Sequence, residues 1–434
     1  MHELIIQGGI PLKGTVKVKG SKNAALPIIA ASLLSAEPVV IEDVADLLDV
    51  RDMLAVVGSL GAAVKYNNAE EKIEICTSDL EPVQPPRYLV QRMRASFLVL
   101  GPLLARFGRV SISLPGGCAI GSRPIDLHLK GLAAMGVNFT MASGLIEGKT
   151  DRLHGARIYL DYPSVGATEN IMMAAALAQG RTVIENAASE PEIVDLAGFL
   201  NSSGARISGA GTKTIRIEGV KDLGGTCYSV IPDRIEAGTF LIASAVTGGD
   251  VTLTNILPEH LKPLLAKLRE TGVSVEEVDY SSVRVEGSCQ TRGVDLKTLP
   301  YPGFPTDLQP QFMVLLTLSA GTSLVTETVF ENRFRHVDGL LRMNADIQIE
   351  GNRAVIQGKN KLSGAPVQAS DLRAAAALLI AGLAAEGTTV IEAIDHLWRG
   401  YSCFEERLSD LGASLQYVKP TIPNCSGRVQ ARGS

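Results

Sequence analysis

The chain has 434 residues, which at about 150 residues per domain points to two or three domains rather than one. Hydrophobic residues make up 46% and charged residues 20%, the composition of a folded globular protein and not of a disordered one. Mean hydropathy is +0.18 with only 5% aromatics, so Ala, Val, Leu and Ile carry the apolar mass, yet no stretch reaches the about 20 apolar residues of a membrane-spanning helix. A net charge of −5 disfavours a nucleic-acid partner, because proteins that track phosphate backbones carry a basic field. The opening Met-His-Glu-Leu-Ile-Ile-Gln-Gly-Gly lacks the basic start and apolar core of a signal peptide, so the expected location is the cytoplasm. The cysteines are scattered, with no Cys-x-x-Cys pair and no His at ligand spacing, which points to reduced thiols and no metal site.

The first predicted elements are strands over Glu3–Gln7 and Thr15–Lys19. Two patterns then alternate. An Ala/Leu/Ile-rich helix that breaks and becomes a β-branched strand recurs at 24–41, 95–112, 168–184, 237–253, 311–325 and 374–391. A second helix turns into an alternating strand at Gly61, Gly136, Gly204, Gly272, Asn344 and Gly412, a spacing of about 70 residues. Each unit is too small to bury its own apolar helix, so the units must pool their cores. Six αβ units fit an open doubly wound sheet, a barrel, or two clusters of three, and an eight-unit barrel needs two units more than the chain holds. With Pro232-Asp233-Arg234 between the third and fourth units, the expected class is α/β, in two lobes of three units with a cleft between them.

Candidate chemistry sits at the junctions of these units. Ser21-Lys22-Asn23 precedes the first apolar helix, where a lysine beside free helix N–H groups, with Asn23 as the cap, suits an anion; the plain alternative is an N-cap with a solvated lysine. Leu114-Pro-Gly-Gly-Cys-Ala-Ile-Gly-Ser-Arg-Pro124 holds too many glycines and prolines for a helix or central strand. Its Cys118, with Arg123 nearby, is either a thiol activated by a cation or an inert buried one. Arg94, Arg333, Arg373 and Arg399 occupy comparable junctions and can converge on one cleft, where guanidinium forks match phosphate or carboxylate; the alternative is surface salt bridges, with Asp371 available to Arg373. Asp307, in Phe304-Pro-Thr-Asp-Leu308, is placed to accept a proton or to cap the following helix. Gly144 to Thr150 has one residue too few between its glycines for a Walker A loop, and Gly209-Ala-Gly211 lacks the third glycine of a dinucleotide fingerprint.

Ten segments go further when taken in order. They are Gly20-Ser-Lys-Asn-Ala-Ala25, Leu114-Pro-Gly-Gly-Cys118, Ser122-Arg-Pro-Ile-Asp126, Ser164-Val-Gly-Ala-Thr168, Glu185-Asn-Ala-Ala188, Pro232-Asp-Arg-Ile-Glu-Ala-Gly-Thr239, Phe304-Pro-Thr-Asp307, Glu331-Asn-Arg-Phe334, Asp371-Leu-Arg373 and Arg399-Gly-Tyr401. Together, from the first strand to about Tyr417, they resemble the enolpyruvyl transferases, in the branch that acts on UDP-N-acetylglucosamine. The resemblance implies a two-lobed inside-out α/β barrel of six βαβαββ repeats, three per lobe. Residues 21–232 would form the first lobe, 1–20 with 233–420 the second, and 421–434 a tail.

The same resemblance implies transfer of the enolpyruvyl group of phosphoenolpyruvate to the 3-hydroxyl of UDP-N-acetylglucosamine, with no cofactor and no metal. Lys22, Arg123 and Arg399 are implied to hold the phosphate and carboxylate of phosphoenolpyruvate, supported by Arg333 and Arg373. Cys118 is implied as the general acid, able to form a phospholactoyl thioether adduct, and Asp307 as the group that takes the hydroxyl proton. The nucleotide sugar is implied to contact Asn23, Arg94, Arg123, Pro124, Ile125, Asp126, Leu127, Tyr162, Pro163, Ser164, Val165, Asp307 and Val329, under a lid over 115–124.

The chain departs from the family pattern in three places. Tyr162-Pro163 stands where relatives carry a Lys or a Val pair, which removes a cationic contact to the diphosphate. His396-Leu-Trp398-Arg399 replaces His-Ile-Asp-Arg, so Arg399 is expected to lose an acidic neighbour that restrains it. Asn344 replaces a turn glycine, as a tolerated left-handed Asn. Two alternatives were weighed against the motifs: a sister activity on shikimate 3-phosphate, which does not depend on a Pro-Gly-Gly-Cys lid, and a catalytically silent nucleotide-sugar binder.

Overall fold

A computed structural model describes residues 2–116, 121, 125–288 and 290–418. Cys118, Arg123, Pro124 and the 421–434 tail therefore lie outside the described residues. Among those described, the strands form six small sheets, five of four strands and one of three. The four-stranded sheets share one plan: the strand leaving an apolar helix has a parallel neighbour on one side and antiparallel strands on the other. After the helix Lys22–Ala31, for example, Val39–Glu42 runs parallel to Cys227–Ser229 and antiparallel to Lys72–Cys76, which pairs with Ala63–Asn67. The first strand, Glu3–Gln7, lies antiparallel between Thr388–Glu392 and Ser414–Val418. The second, Lys13–Lys17, starts two residues earlier than the sequence suggests and runs parallel to Asp250–Thr254.

Buried hydrophobic residues form two clusters. One extends from Ala24 to Val230, and the other joins Leu4–Val18 to Ile235–Ala413. Each is organised by helices that are apolar nearly all round, and such helices must be surrounded by protein. In the second cluster Arg234–Thr247, Gln309–Thr317 and Leu372–Ala384 pack on one another; in the first, Leu100–Phe107 packs on Val165–Ala176. Among the described residues no helix is long and apolar enough to cross a membrane.

The chain passes between the clusters at two adjacent points. Gly20 bridges Pro232, Ser21 N donates to Ile231 O at 2.7 Å, and Asp233 N donates to Lys19 O at 2.8 Å. Position 20 admits no side chain, since a Cβ there would lie 1.7 Å from Asp43 O. One oxygen of Asp233 caps the helix Arg234–Thr247, accepting from Ile235 N at 2.8 Å and Glu236 N at 3.0 Å. The other accepts from Lys22 N at 3.2 Å, so the starts of two buried helices, one from each cluster, are tied together at the crossing.

The six turn residues of the repeat all have positive φ, at 98° for Gly61, Gly136 and Gly412, 104° for Gly204, 92° for Gly272 and 71° for Asn344. Asn344 thus adopts the left-handed conformation expected of it. A β-branched residue there would strain the backbone by about 1–2 kcal/mol. Asn344→Val is expected to unfold at a lower temperature than wild type while Asn344→Gly unfolds at the same temperature or above. Equal midpoints for Val and Gly in thermal denaturation would show that the turn does not require this conformation.

Candidate active site

Lys22 is the first residue of its helix. The cap is Ser21 and not Asn23, its hydroxyl accepting from Ala24 N at 3.4 Å. Nor is Lys22 solvated: Nζ donates to Asp49 Oδ2 at 3.1 Å, while Asp49 Oδ1 accepts from Arg399 Nε at 2.8 Å. Asp49 lies in the first turn of the helix Leu48–Ser59, where an anion also suits the helix dipole. Burial pushes its carboxyl up, but the charges of Lys22 and Arg399 outweigh that and hold it below its ordinary value. Arg399 belongs to the second cluster's part of the chain, and its Nη2 donates to Arg92 O at 3.1 Å. Its bonds therefore cross from one core to the other.

A second carboxylate is shared in the same way. Asp307 Oδ1 accepts from Arg333 Nη2 at 2.5 Å, and Oδ2 from Arg373 Nη2 at 2.8 Å. Arg333 Nε also donates to Thr306 O at 3.1 Å. The side chains of Arg333 and Arg373 are 2% and 6% exposed, so these are buried pairs and not surface salt bridges. Asp371, the partner that sequence offered to Arg373, instead caps the helix Leu372–Ala384 through Arg373 N at 3.0 Å and Ala374 N at 3.2 Å. Asp307 caps nothing; its carboxylate serves the two guanidiniums, with 26% of the side chain exposed. Burial raises its pKa, while Arg373, Arg333 and Lys22 pull it down further, and the net result lies well below the usual carboxylate range. That Lys22 acts on Asp307 places the two shared carboxylates in one electrostatic site.

Glu327, which no sequence motif marked, builds the neighbouring turn. It is 2% exposed and accepts from Thr298 Oγ1 at 2.8 Å, Thr306 Oγ1 at 3.0 Å, Val329 N at 2.8 Å and Phe330 N at 3.2 Å. One side chain thereby fixes both Val329 and the residue before Asp307.

Of the described residues expected at the nucleotide sugar, all but Asp307 and Val329 lie on segments of the first cluster. Asn23 is half-buried on its helix, and Arg94 opens the short helix Arg94–Val99. Ile125 stands at the N-cap position of the helix Asp126–Ala134 without a side-chain bond, and that helix carries Leu127 and His128; Ser164 caps Val165–Ala176, accepting from Ala167 N at 3.4 Å. His128 ties these helices together through Asn170 Nδ2 at 2.9 Å, and burial with the charge of Arg94 lowers its pKa to about 3, leaving it neutral. Tyr162 and Pro163 lie beside Asp161, which pairs with Lys130 at 2.6 Å, so a cation absent from the sequence argument stands next to the departure at 162–163. Burial, with the charges of Glu190 and Glu327, raises the Tyr162 pKa. At the edge of the Cys118 loop, Leu114 N donates to Gly144 O at 3.0 Å. Gly121 lies so close to Glu331 that a Cβ would meet its Oε2 at 2.1 Å.

The loss of an acidic neighbour does not leave Arg399 unrestrained, because Asp49 supplies the carboxylate from the other cluster. Trp398 turns away: its Nε1 donates to Glu405 Oε1 at 3.3 Å, and its ring lies 5.6 Å from Tyr417 and 5.2 Å from His2.

Comparison with known proteins gives the following. The family model described as EPSP synthase (3-phosphoshikimate 1-carboxyvinyltransferase) matches residues 6–408. UDP-N-acetylglucosamine 1-carboxyvinyltransferase 1 of Caldanaerobacter subterraneus subsp. tengcongensis is 55% identical over 413 residues, 95% of this chain and 99% of that protein. UDP-N-acetylglucosamine 1-carboxyvinyltransferase 2 of Carboxydothermus hydrogenoformans is 56% identical over 419 residues, 96% of this chain and 100% of that protein. Among solved structures, the enolpyruvyl transferase NikO from Streptomyces tendae superposes with a TM-score of 0.87 at 26% identity, over 97% of this chain and 100% of its own. EPSP synthase from Acinetobacter baumannii, at 19% identity and a TM-score of 0.76 over 96% of this chain and 100% of its own, shares the fold.

Replacing Asp307 by Asn leaves two buried guanidiniums facing a neutral amide, which is expected to cost about 3 kcal/mol of stability. Because the native pKa is depressed, the carboxylate's contribution is complete above the unfolded value of about 3.9 and is lost only as pH falls through the native one. The stability deficit of Asp307→Asn in denaturant titrations should therefore be the same at pH 7 as at pH 5. A deficit that shrinks between those values would contradict the depressed pKa.

Proposed function

The chain belongs to the enolpyruvyl transferase family, and on that premise we propose that it transfers the enolpyruvyl group of phosphoenolpyruvate to the 3-hydroxyl of UDP-N-acetylglucosamine, the first committed step of peptidoglycan synthesis. The observation that carries this reading is the gathering of Lys22, Arg333, Arg373 and Arg399 around two shared carboxylates, Asp49 and Asp307. Such a site suits a small, multiply charged anion. Relatives more than half identical over nearly the whole chain, each named for this reaction, support it from the side of sequence. The two core clusters and two chain crossings support a two-lobed inside-out α/β barrel of six repeats, with lobes at 21–232 and at 1–20 plus 233–420. Both substrates are phosphorylated metabolites, which supports the cytoplasm as the place of work.

In this reading Lys22, Arg123 and Arg399 hold the phosphate and carboxylate of phosphoenolpyruvate, and Arg333 and Arg373 add to the field. The sugar hydroxyl oxygen bonds to the enol carbon, Asp307 takes its proton, and Cys118 gives a proton to the methylene, so that the double bond becomes a methyl group on a tetrahedral carbon. A methyl proton then returns to the Cys118 thiolate while phosphate leaves with the proton that Asp307 took, which restores the double bond and both side chains. The proton and electron count closes without a metal or redox partner. Asn23, Arg94, Ile125 to Leu127, Tyr162 to Val165 and Val329 receive the nucleotide sugar, with Pro124 at the edge of the lid.

Asp307 as observed is a weak base, because two arginines occupy its oxygens. An anion that takes up part of those arginines' charge where they stand weakens their pull on the carboxylate and raises its proton affinity, so arrival of phosphoenolpyruvate prepares the acceptor that the sugar hydroxyl needs.

The test is phosphate release. The wild type should release phosphate only when phosphoenolpyruvate and UDP-N-acetylglucosamine are both present, and release with shikimate 3-phosphate in place of the nucleotide sugar would overturn the reading. Cys118→Ser should lose most activity near neutral pH and escape the alkylating inhibitor fosfomycin. Full sensitivity of that variant would remove Cys118 from its role.

A further inference from the structure

The hydroxyl of Tyr401 is the centre of a buried hydrogen-bond chain that begins at Arg373. Tyr401 is 1% exposed, and its ring packs on Phe404 with centroids 4.7 Å apart. The hydroxyl lies 3.0 Å from Arg373 Nη1, 2.9 Å from Thr239 Oγ1 and 3.3 Å from Gln311 Nε2. Counting hydrogens fixes the direction of each bond. Thr239 has one hydroxyl hydrogen and donates it to Ile235 O at 2.8 Å, so its oxygen can only accept. Tyr401 must then donate to Thr239, which leaves its lone pairs to Arg373 and Gln311, both donors at these atoms. Burial raises the Tyr401 pKa and keeps it a neutral hydroxyl.

Arg373 is thereby held at two points, Nη1 on Tyr401 and Nη2 on Asp307. A planar guanidinium bonded through one nitrogen can swing; bonded through two it is fixed. The tripeptide Arg399-Gly400-Tyr401 also sets the two cations relative to each other, because Arg399 reaches Asp49 while Tyr401 reaches Arg373. Gly400 permits this close approach, since a Cβ would lie 2.6 Å from Leu372 Cδ2, in the residue next to Arg373.

We propose that Tyr401 is a positioning residue whose hydroxyl fixes the Arg373 guanidinium in the orientation that meets the anionic substrate. The proposal rests on the function inferred above. Tyr401→Phe keeps the packed ring and removes only the oxygen. It should fold, raise the KM for phosphoenolpyruvate about tenfold, and leave the KM for UDP-N-acetylglucosamine unchanged. Combined with Arg373→Lys, it should add no further rise. Equal rises for both substrates, or additive effects with Arg373→Lys, would mean a merely structural role and overturn the proposal.

A crystal structure of Tyr401→Phe decides the point independently of activity. Arg373 turned away from its present contact with Asp307 supports the proposal, and an unmoved guanidinium sinks it. A wild type inactive with both substrates would overturn the inferred function alone, and the crystal structure would still judge the positioning role. Should Tyr401→Phe not fold, Thr239→Val, which removes the acceptor of the tyrosine proton, should raise the same KM and disturb Arg373 in the same way; no change in either would count against the proposal.

Discussion

Two carboxylates, each shared by two cations, are what allow these four cations to stand inside the protein. Unit charges about 4 Å apart interact by about 4 kcal/mol at the effective dielectric of a protein surface, and more as water is excluded. Lys22 and Arg399 would repel each other without Asp49, and Arg333 and Arg373 without Asp307. Each carboxylate balances only one of its two partners. The four cations are therefore oriented and under-compensated, a field already assembled for the anionic substrate of the proposed reaction.

The fold supplies these charges by repetition. Every apolar helix must enter its core from a strand end or a crossing, and at those junctions the backbone leaves the interior while staying close to it. Lys22 and Arg373 open such helices, Asp307 directly precedes one, and Arg399 ends the short helix after a repeat strand. Asp233 shows how closely architecture and site are joined: one carboxylate caps a helix of the second cluster and holds the backbone N–H of Lys22 in the first. A change at the chain crossing therefore acts on a cation of the cleft without any contact to a ligand.

What could be foreseen from sequence follows from how local each requirement is. The repeat is legible because each of its six turns uses a left-handed residue, glycine in five and asparagine in one, and the apolar helices are legible because their surroundings require Ala, Leu and Ile on every side. The cations were legible as residues at equivalent junctions. Their partners were not. Asp49 reads as an ordinary acid in a first helical turn, and Glu327 as a polar residue after a strand; each acquires its role only when distant segments meet. Asn23 and Ser21 both suit a helix start, and the choice between them turns on a two-residue boundary that pattern does not resolve. Asp371 lay next to Arg373 in sequence, yet the helix cap claimed its carboxylate, and Asp307, far away along the chain, took the guanidinium.

The substitution of Trp for an acidic residue beside Arg399 shows why sequence adjacency is a poor guide to electrostatics. In a short helical turn successive side chains point in different directions, so residue 398 need not share the environment of residue 399. Trp398 joins His2, Tyr417 and Glu405, while Arg399 finds its carboxylate on the other core. Asp49 restrains Arg399 from the other core. The restraint on this cation is consequently coupled to the relative placement of the two cores, and the same contact that orients Arg399 also helps to hold the cores together.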